Sequence, residues 1–351
     1  MRLLQIFACL CLGPLVVGHG AAAAPFTIVN LGDVGFDTEA MAVNGSGQAA
    51  VTSYAPGVEW IASGINEAGV VVGTTFTQVG AQAMLYYDGQ AWAVANFGGD
   101  SFGYDVNGAG EVAGTASNKA YVAKDGSVTW LSHPMGTMFD AANAINESGA
   151  VAGTLVDEWG IERGYVWANG QTRWTGTLGG MRSRATNLND AGQVTGSAQT
   201  GDGWMHAFLA GEGYITDLGT LGGLASYAYG INNAGEVVGY SWREDGTMAA
   251  FLFTNGVMLD LSTLVEGLDG WTLATAYGIN DAGQIVGTGF YNGRRTAYRL
   301  DPVVVGARLE APLGLEAAET ETPEPSTGVL IVMGVALVLL ARRLGDTRKS
   351  D

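Results

Sequence analysis

The chain has 351 residues, of which 47% are hydrophobic, only 14% are charged and 55 are glycine. Its 34 acidic and 16 basic side chains give a formal net charge of −18, which argues against a protein that binds nucleic acid non-specifically. Abundant glycine without a collagen period, beside 9 Trp, 13 Tyr and 11 Phe, excludes collagen and argues against disorder. We therefore expect short strands joined by tight turns.

Residues 1–24 have the three parts of a secretory signal peptide. A basic residue precedes an apolar stretch at 3–17, and small residues at 20–24 follow it, where a signal peptidase can cut. Both cysteines, Cys9 and Cys11, lie in this segment, so the mature chain would have neither disulfides nor thiolate metal ligands. A buried first helix and a lipoprotein anchor at Cys9 are the alternatives.

The middle of the chain is a repeat with the pattern Asn-x-x-Gly-x-Val-x-Gly, in which the last copy carries Ile for Val. Six copies begin 39 to 48 residues apart, and a degraded copy begins at Asn44. A period near 40 residues indicates a repeat architecture. The asparagines and glycines of the six predicted turns are Asn66 and Gly69, Asn107 and Gly110, Asn146 and Gly149, Asn189 and Gly192, Asn232 and Gly235, and Asn280 and Gly283.

Each repeat contains four segments of strand length. In the clearest one, the turn after Asn232 joins strands at 228–232 and 236–242, and a further strand at 249–254 leads to the two-residue hairpin signal Asn255-Gly256. Four antiparallel strands every ~40 residues make one propeller blade. We therefore predict an all-β fold, with a β-propeller over residues 25–302. Six blades are favoured, or seven if a half-unit at 34–62 gains two more strands.

The two ends of the repeat region predict how the ring closes. The last unit stops after the strand at 296–301, without a fourth strand. The first mature segment, FTIVNLGD at 26–33, resembles the fourth-strand segment YITDLGTL at 214–221 of an internal unit. We expect this N-terminal strand to complete the last blade.

One unit also carries the sequence His206-Ala207-Phe208-Leu209, followed by DLGTLGG at 217–223 and AYGINNAGEVVG at 228–239. These motifs resemble the HAF-repeat family of extracellular proteins, although only this unit keeps the histidine. The resemblance implies a surface repeat protein and supplies no catalytic residues.

The C-terminal region begins with an acidic, proline-containing linker at 303–322. Sixteen uncharged residues at 326–341 follow and predict a short transmembrane helix. Because Arg342 and Arg343 come directly after it, the basic end should stay cytoplasmic and residues 25–325 should lie outside the membrane.

The triplet Pro323-Glu324-Pro325, the apolar helix and the arginine pair Arg342-Arg343 together resemble the PEP-CTERM sorting signal, here over residues 323–351. The resemblance implies a Gram-negative bacterium that makes exopolysaccharide, and an exosortase that recognises the tail. The chain would be anchored in the inner membrane before processing and would then reach the cell surface or the biofilm matrix. The extra segment 344–351 departs from the usual tail, and an ordinary C-terminal anchor is the alternative.

The repeat region offers little for metal or nucleophilic chemistry. Its two histidines, His133 and His206, are isolated, so neither a zinc site nor a Ser-His-Asp triad is supported. The glycine-rich segments have no following helix to cradle a phosphate. We expect no cofactor; a Ca²⁺ rim is a minor alternative, because carboxylates stand beside the turn asparagines at Glu67, Glu147, Asp190 and Asp281.

Tryptophans recur through the units, and we expect most of them to pack between blades: Trp60, Trp92, Trp130, Trp167, Trp174, Trp204, Trp242 and Trp271. The segments 156–164 and 241–248 combine a tryptophan with mixed charges. Trp159 and Trp242 are therefore the candidate ligand contacts.

Three function classes remain. The leading one is a non-enzymatic surface or matrix protein whose propeller binds a glycan or another protein. The second is a structural spacer, and the third is a glycan-active enzyme with paired carboxylates drawn from Asp100, Asp105, Asp140 and Glu158. Residues 25–325 carry 32 acids and 11 bases, a balance of −21, which favours neutral sugars, cationic partners or proteins as ligands.

Overall fold

The computed structural model describes residues 26–32, 35–57 and 59–303. The predicted signal peptide, the transmembrane helix at 326–341 and the sorting motif lie outside these residues. Over the described ranges the chain forms strands β1 to β26 and one short 3₁₀ helix, η1, at Leu261–Thr263. No helix in this part of the chain has the length and apolar character needed to cross a bilayer.

Twenty-four of the strands form six antiparallel four-stranded blades. The first three blades are β4 (Trp60–Ile65), β5 (Val71–Thr77), β6 (Gly80–Tyr87) and β7 (Gln90–Ala93); β8 (Ser101–Val106), β9 (Val112–Ala116), β10 (Lys119–Lys124) and β11 (Ser127–Trp130); and β12 (Thr137–Ile145), β13 (Val151–Asp157), β14 (Glu162–Ala168) and β15 (Gln171–Trp174).

The next two blades are β16 (Gly179–Leu188), β17 (Val194–Thr200), β18 (Met205–Gly211) and β19 (Tyr214–Asp217); and β20 (Gly222–Ile231), β21 (Val237–Arg243), β22 (Met248–Thr254) and β23 (Val257–Asp260). The last blade contains β24 (Trp271–Ile279), β25 (Ile285–Tyr291), β26 (Arg294–Pro302) and the N-terminal strand β1 (Phe26–Asn30). A separate two-stranded unit contains β2 (Thr38–Val43) and β3 (Ala49–Ser53).

The N-terminal strand closes the ring as predicted. β1 pairs antiparallel with β26, in the register from Phe26 opposite Pro302 to Asn30 opposite Tyr298. Phe26 is buried in the cluster that also contains Leu261 of η1. The β2–β3 unit lies at the seam and contacts both the last blade and the first. Because it keeps only two strands, the prediction of six four-stranded blades is confirmed.

The glycines of the repeat serve two physical purposes. At the turn, Gly110 has φ +76°, a conformation that side chains with a Cβ rarely adopt. In the following strand, a Cβ on Gly114 would come within 2.6 Å of the Tyr121 hydroxyl. In five of the six repeat motifs the last glycine therefore lies opposite an aromatic ring of the third strand, whereas Gly73 lies opposite Met84. The paired residues are Gly114 and Tyr121, Gly153 and Tyr165, Gly196 and Phe208, Gly239 and Phe251, and Gly287 and Tyr298.

The blades pack through apolar clusters that join neighbouring blades. One such cluster contains Val72 and Ala83 of the first blade with Val112 and Tyr121 of the second. Tyr121, Tyr165 and Tyr298 are fully buried. Burial of each of these side chains against the preceding blade stabilises the propeller by ~2–3 kcal/mol, and the blades therefore depend on one another for stability.

Candidate functional site

The ring has two faces, and the repeat motif builds one of them. At this end, which we call the Asn face, the first strand of each unit turns into the second at Asn44, Asn66, Asn107, Asn146, Asn189, Asn232 and Asn280. The opposite end, which we call the loop face, carries the loops between second and third strands and the connections between blades. The inner strands line a central channel that opens at the Asn face.

The seven turn asparagines form a closed ring of hydrogen bonds. Each side-chain amide nitrogen donates to the backbone carbonyl oxygen of the next asparagine around the ring, over distances of 2.8–3.3 Å. The last bond joins Asn280 to Asn44, which are 236 residues apart in sequence. The two-stranded unit therefore takes a full place in the inner ring.

The same side chains hold their own turns. The Asn146 amide oxygen accepts from the backbone N–H of Ala150 at 2.9 Å, and the N–H of Gly149 donates to the Asn146 carbonyl at 3.0 Å. Equivalent bonds occur in all seven units. Six of the asparagines and the six predicted turn glycines were singled out from the sequence, and the structure gives them a scaffold role.

The carboxylates beside the turn asparagines form a second ring at the mouth of the channel. They accept hydrogen bonds from the backbone of the preceding unit: Glu67 from Gly45, Glu147 from Gly108, Asp190 from Glu147, and Asp281 from Asn233. Within the described residues, no group of three or more His, Cys, Asp or Glu side chains is arranged to hold a metal ion. The carboxylate rim thus caps backbone groups.

A cavity of about 670 Å³ opens at this mouth and extends into the channel. The residues deepest in the cavity are those three positions before each turn asparagine in the sequence. The largest side chains at these positions are Tyr104, Tyr229 and Tyr277. Asp105 lies in the wall and accepts the backbone N–H groups of Ile145 and Val106, each at 2.9 Å. Burial raises the pKa of Asp105 to about 6, against the lowering effect of these two bonds.

One position in the second strand has nearly the same residue type in every unit. Directly after the glycine that ends the motif, or at the matching place in β3, six of the seven units have threonine or serine. These residues are Thr52, Thr74, Thr115, Thr154, Ser197 and Thr288. Most of them bridge to the next blade; for example, Thr154 accepts the backbone N–H of Ala185 at 3.2 Å. The seventh unit has Tyr240 instead.

Tyr240 is the centre of a group of four tyrosines. Its ring stacks on Tyr227 at a centroid distance of 5.0 Å and on Tyr229 at 6.0 Å, and Tyr229 contacts Tyr277 at 5.2 Å. Burial raises the pKa of Tyr229, Tyr240 and Tyr277, so all three keep their hydroxyl protons at neutral pH. We call these four residues the tyrosine cluster.

Charged side chains stand on either side of the tyrosine cluster. On one side, Arg184 forms an ion pair with Glu162 and lies near Tyr227 and Tyr229. On the other side, Tyr277 lies near Arg295 and Glu39, which form an ion pair with each other. Sequence analysis missed this whole group. Its signal was the single exception, Tyr240, in an otherwise constant threonine or serine position.

Exposed apolar side chains are concentrated on the loop face. Of nineteen such side chains in the described ranges, thirteen lie at the loop face: Phe36, Tyr54, Phe76, Val79, Met138, Phe139, Trp159, Met181, Trp204, Leu224, Trp242, Phe290 and Tyr291. Trp159 is 69% exposed and Trp242 is 38% exposed, so both candidate contacts are accessible. The loop face therefore carries most of the large exposed apolar side chains of the described ranges.

Tryptophan is less often buried than the sequence predicted. Trp60 is buried, and three others are half-buried against the blade clusters: Trp167, Trp174 and Trp271. Four of the eight tryptophans, most of which were expected to pack between blades, are exposed: Trp92, Trp130, Trp204 and Trp242. The fully buried aromatic positions hold tyrosine and phenylalanine, whose smaller rings fit over the motif glycine.

The four candidate catalytic acids do not share hydrogen-bond partners. Asp100 accepts the backbone N–H of Ala81, and Asp105 lies in the channel wall. Asp140 is buried in a contact with His133 at 2.8 Å and accepts the Tyr165 hydroxyl at 2.8 Å. Glu158 stands in an exposed loop.

His133 and His206, the two histidines of the repeat region, have separate structural contacts. His133 is buried, and its other ring nitrogen lies 3.1 Å from Thr172. His206, the HAF-motif histidine, contacts Asp217 at 2.9 Å on the surface of its own blade. Neither histidine contacts the tyrosine cluster.

No family model matches this chain, and no curated protein matches it. Solved structures with similar folds include a gluconolactonase from Xanthomonas campestris, at 16% identity, 81% coverage of this chain, 93% coverage of that chain and a TM-score of 0.45. TolB from Acinetobacter baumannii is 11% identical, with coverages of 76% and 64% and a TM-score of 0.40. A Trypanosoma rangeli sialidase is 11% identical, with coverages of 78% and 59% and a TM-score of 0.39.

Proposed function

We propose that this chain is a non-enzymatic surface or matrix protein whose loop face binds a glycan. The observation that carries the proposal is the tyrosine cluster. It stands where the repeat is broken, between the depth of the Asn-face cavity and the groove of the loop face, and the scaffold elsewhere uses threonine or serine at the position of Tyr240. A structural spacer would gain nothing from this departure.

The chemistry of the cluster suits a sugar ring. Tyrosine offers an apolar face for the C–H side of a pyranose and a hydroxyl for its polar edge. Arg184 and Glu162 on one side, with Arg295 and Glu39 on the other, supply planar donors and acceptors next to these faces. Binding pockets typically combine such an apolar floor with a few oriented polar groups. Trp159 and Trp242 would extend the contact surface outward.

A glycan-active enzyme is the alternative, and its strongest group near the cluster is the pair Tyr54 and Glu39. The Tyr54 hydroxyl donates to Glu39, which also pairs with Arg295. Burial, with the Glu39 hydrogen bond and charge, raises the pKa of Tyr54 well above its ordinary value. A nucleophilic tyrosine needs the opposite shift, so we propose that these residues position a ligand without reacting with it.

Binding of the secreted chain to a glycan array, followed by titration with the best polysaccharide, tests the proposal. We expect Tyr240→Thr to weaken binding at least tenfold, because it removes the central ring of the cluster. Trp92→Ala, an exposed tryptophan on the outer strand β7, is the matched control and should bind normally. Absence of glycan binding by the wild-type chain would favour the spacer. Turnover of the polysaccharide, lost with one acid, would establish the enzyme.

We also propose that the chain is exported through its signal peptide at 1–24 and is held in the inner membrane by the helix at 326–341. An exosortase would then process the tail at Pro323-Glu324-Pro325 and release the propeller to the surface or matrix. A C-terminal tag should therefore separate from the propeller in wild-type cells and remain attached in cells that lack the exosortase. A tag that stays attached in both would contradict the processing step.

A further inference from the structure

A groove of about 500 Å³ opens on the loop face beside the tyrosine cluster. Tyr227 of the cluster forms part of its wall, and Arg182 and Arg184 of β16 line it together with Glu162 of β14. Its volume lies within the range of pockets that hold small ligands. The groove thus lies on the proposed glycan-binding face, next to the tyrosine cluster.

The lining of the groove is basic, although the protein as a whole is acidic. Two guanidinium groups face one carboxylate, and Glu162 is already paired with Arg184. Arg182 is exposed, and no other side chain in the described ranges pairs with it or accepts a hydrogen bond from it. An arginine fork without a protein partner is suited to a carboxylate of a ligand, which it can bind through two parallel hydrogen bonds.

Most basic residues of the described ranges lie on the loop face. Seven of the ten lysines and arginines in the described ranges lie at the loop face: Lys119, Arg163, Arg182, Arg184, Arg243, Arg294 and Arg295. Four of these seven are paired with acids of the same face. Arg182 is thus one of three cations of this face, with Lys119 and Arg294, that form no ion pair within the described ranges.

Apolar side chains complete the groove. Met181 and Met205 lie in the lining with Tyr227, and Met181 is 64% exposed. Gln199 fixes the local backbone, because it accepts the Met181 N–H at 3.0 Å and donates to the Gly203 carbonyl at 3.1 Å. A ligand here would have an apolar face against the methionines and tyrosine, with a carboxylate toward Arg182.

We infer that this groove binds a uronic acid residue of an acidic glycan, with its carboxylate on Arg182 and its ring against Met181, Met205 and Tyr227. The inference rests on the proposed glycan-binding function and names the substrate class of that surface. It replaces the expectation of a neutral sugar, which came from the net charge alone. Arg184, held by Glu162, forms the opposite polar wall.

Titration of the secreted chain with trigalacturonate and with its methyl ester tests the inference, because esterification removes the negative charge of each carboxyl group and leaves the sugar rings unchanged. We expect at least tenfold tighter binding of the free acid at ~0.1 M salt. Arg182→Gln should remove that preference. Arg294→Gln removes one exposed arginine from another blade of the same face and should change the affinity less than twofold.

Equal binding of the acid and the ester would overturn the inference while the proposed glycan-binding function stands, provided that Tyr240→Thr weakens both. Equal losses in Arg182→Gln and Arg294→Gln would also overturn it, because they would indicate attraction by the face as a whole. If the wild-type chain binds neither these ligands nor any glycan on the array, the proposed function fails together with the inference. Melting curves of both variants should match the wild type, since both side chains are exposed.

Discussion

The Asn face and the loop face are built on the same strands, but the first is nearly identical in every unit and the second differs from unit to unit. On the Asn face every unit, including the two-stranded one, has the same asparagine with the same bonds to its own turn and to the next unit. On the loop face the units differ in loop length, in exposed aromatic residues and in charge. In a repeat protein, constancy of this kind reflects the needs of the ring, and departures from it show where a single unit does something else.

The repeat motif serves the scaffold more than it serves binding. The most frequent polar residue of the motif, asparagine, is fully occupied by backbone groups and has nothing to offer a ligand. The residues with free faces or free donors occur once each, as Tyr240 and Arg182 do. The repeated residues therefore serve the scaffold, and the free faces and donors belong to exceptions from the repeat.

The largest effect should follow from breaking the asparagine ring. Asn146→Ala removes the buried bond to the Asn189 carbonyl at 3.1 Å and leaves the N–H groups of Ser148 and Ala150 without their acceptor at a partly buried turn. At ~1–2 kcal/mol for each lost bond or unpaired group, we expect a loss of about 4 kcal/mol in the free energy of unfolding, measured by urea denaturation.

Asn233→Ala is the matched control for Asn146→Ala. Asn233 is an exposed asparagine one position after a ring asparagine, and it bonds mainly to the exposed acids Asp190 and Asp281. Its removal should cost less than ~1 kcal/mol. Similar losses in the two variants would mean that the closed ring contributes no more than an ordinary surface contact.

Much of the fold could be predicted because its determinants are local and periodic. The turn after each asparagine depends on a glycine with positive φ, and the two-residue hairpins such as Asn255-Gly256 depend on the same property. Ring closure by β1 was predictable since its sequence resembles an internal fourth strand. The asparagine ring itself was not predictable, because its bonds join residues 22 to 236 positions apart that meet only when the ring closes.

The candidate site was harder to predict than the fold. Tyr227, Tyr229, Tyr240 and Tyr277 are spread over 51 residues and come together only across two blades. Trp159 and Trp242 were found because exposed loops with mixed composition are visible in sequence, although neither belongs to the cluster. The local charge of the groove was hidden by the sum over the chain, since pairing of arginines with acids depends on which strands are neighbours.

A smaller effect is expected from Asp105, which is an exception to the repeat on the channel wall. The other units have glycine, alanine or asparagine at this position, and Asn187 shows that an amide is accepted. Burial raises the Asp105 pKa to about 6, above its ordinary value near 4, so the folded state binds its proton more tightly than the unfolded state. The stabilisation from this proton is complete below pH 4 and is lost as the pH rises through 6.

Asp105→Asn tests this linkage, because the variant lacks the titration. We expect the wild type to lose on the order of 2 kcal/mol relative to the variant between pH 4 and pH 6, measured as the difference between their free energies of unfolding. The charge of Glu147 adds to the shift, whereas the N–H groups of Ile145 and Val106 oppose it. Parallel stability curves for the two proteins over this range would show that Asp105 is freely solvated.

The smallest effect on stability should come from Tyr240→Thr, the variant that is expected to weaken glycan binding at least tenfold. Loss of the contacts with Tyr227 and Tyr229 costs ~0.5–1.5 kcal/mol for each aromatic pair. The new threonine regains part of this, because it restores the side chain that bridges to the next blade elsewhere, as Thr154 does to Ala185. We expect a net change within about 1 kcal/mol, whereas Thr154→Ala, which only removes such a bridge, should cost ~1–3 kcal/mol. A loss above 3 kcal/mol in Tyr240→Thr would instead show that the tyrosine cluster is part of the core. Tyr240 would then belong to the scaffold, and the contrast between a constant scaffold and a variable binding face would not hold for it.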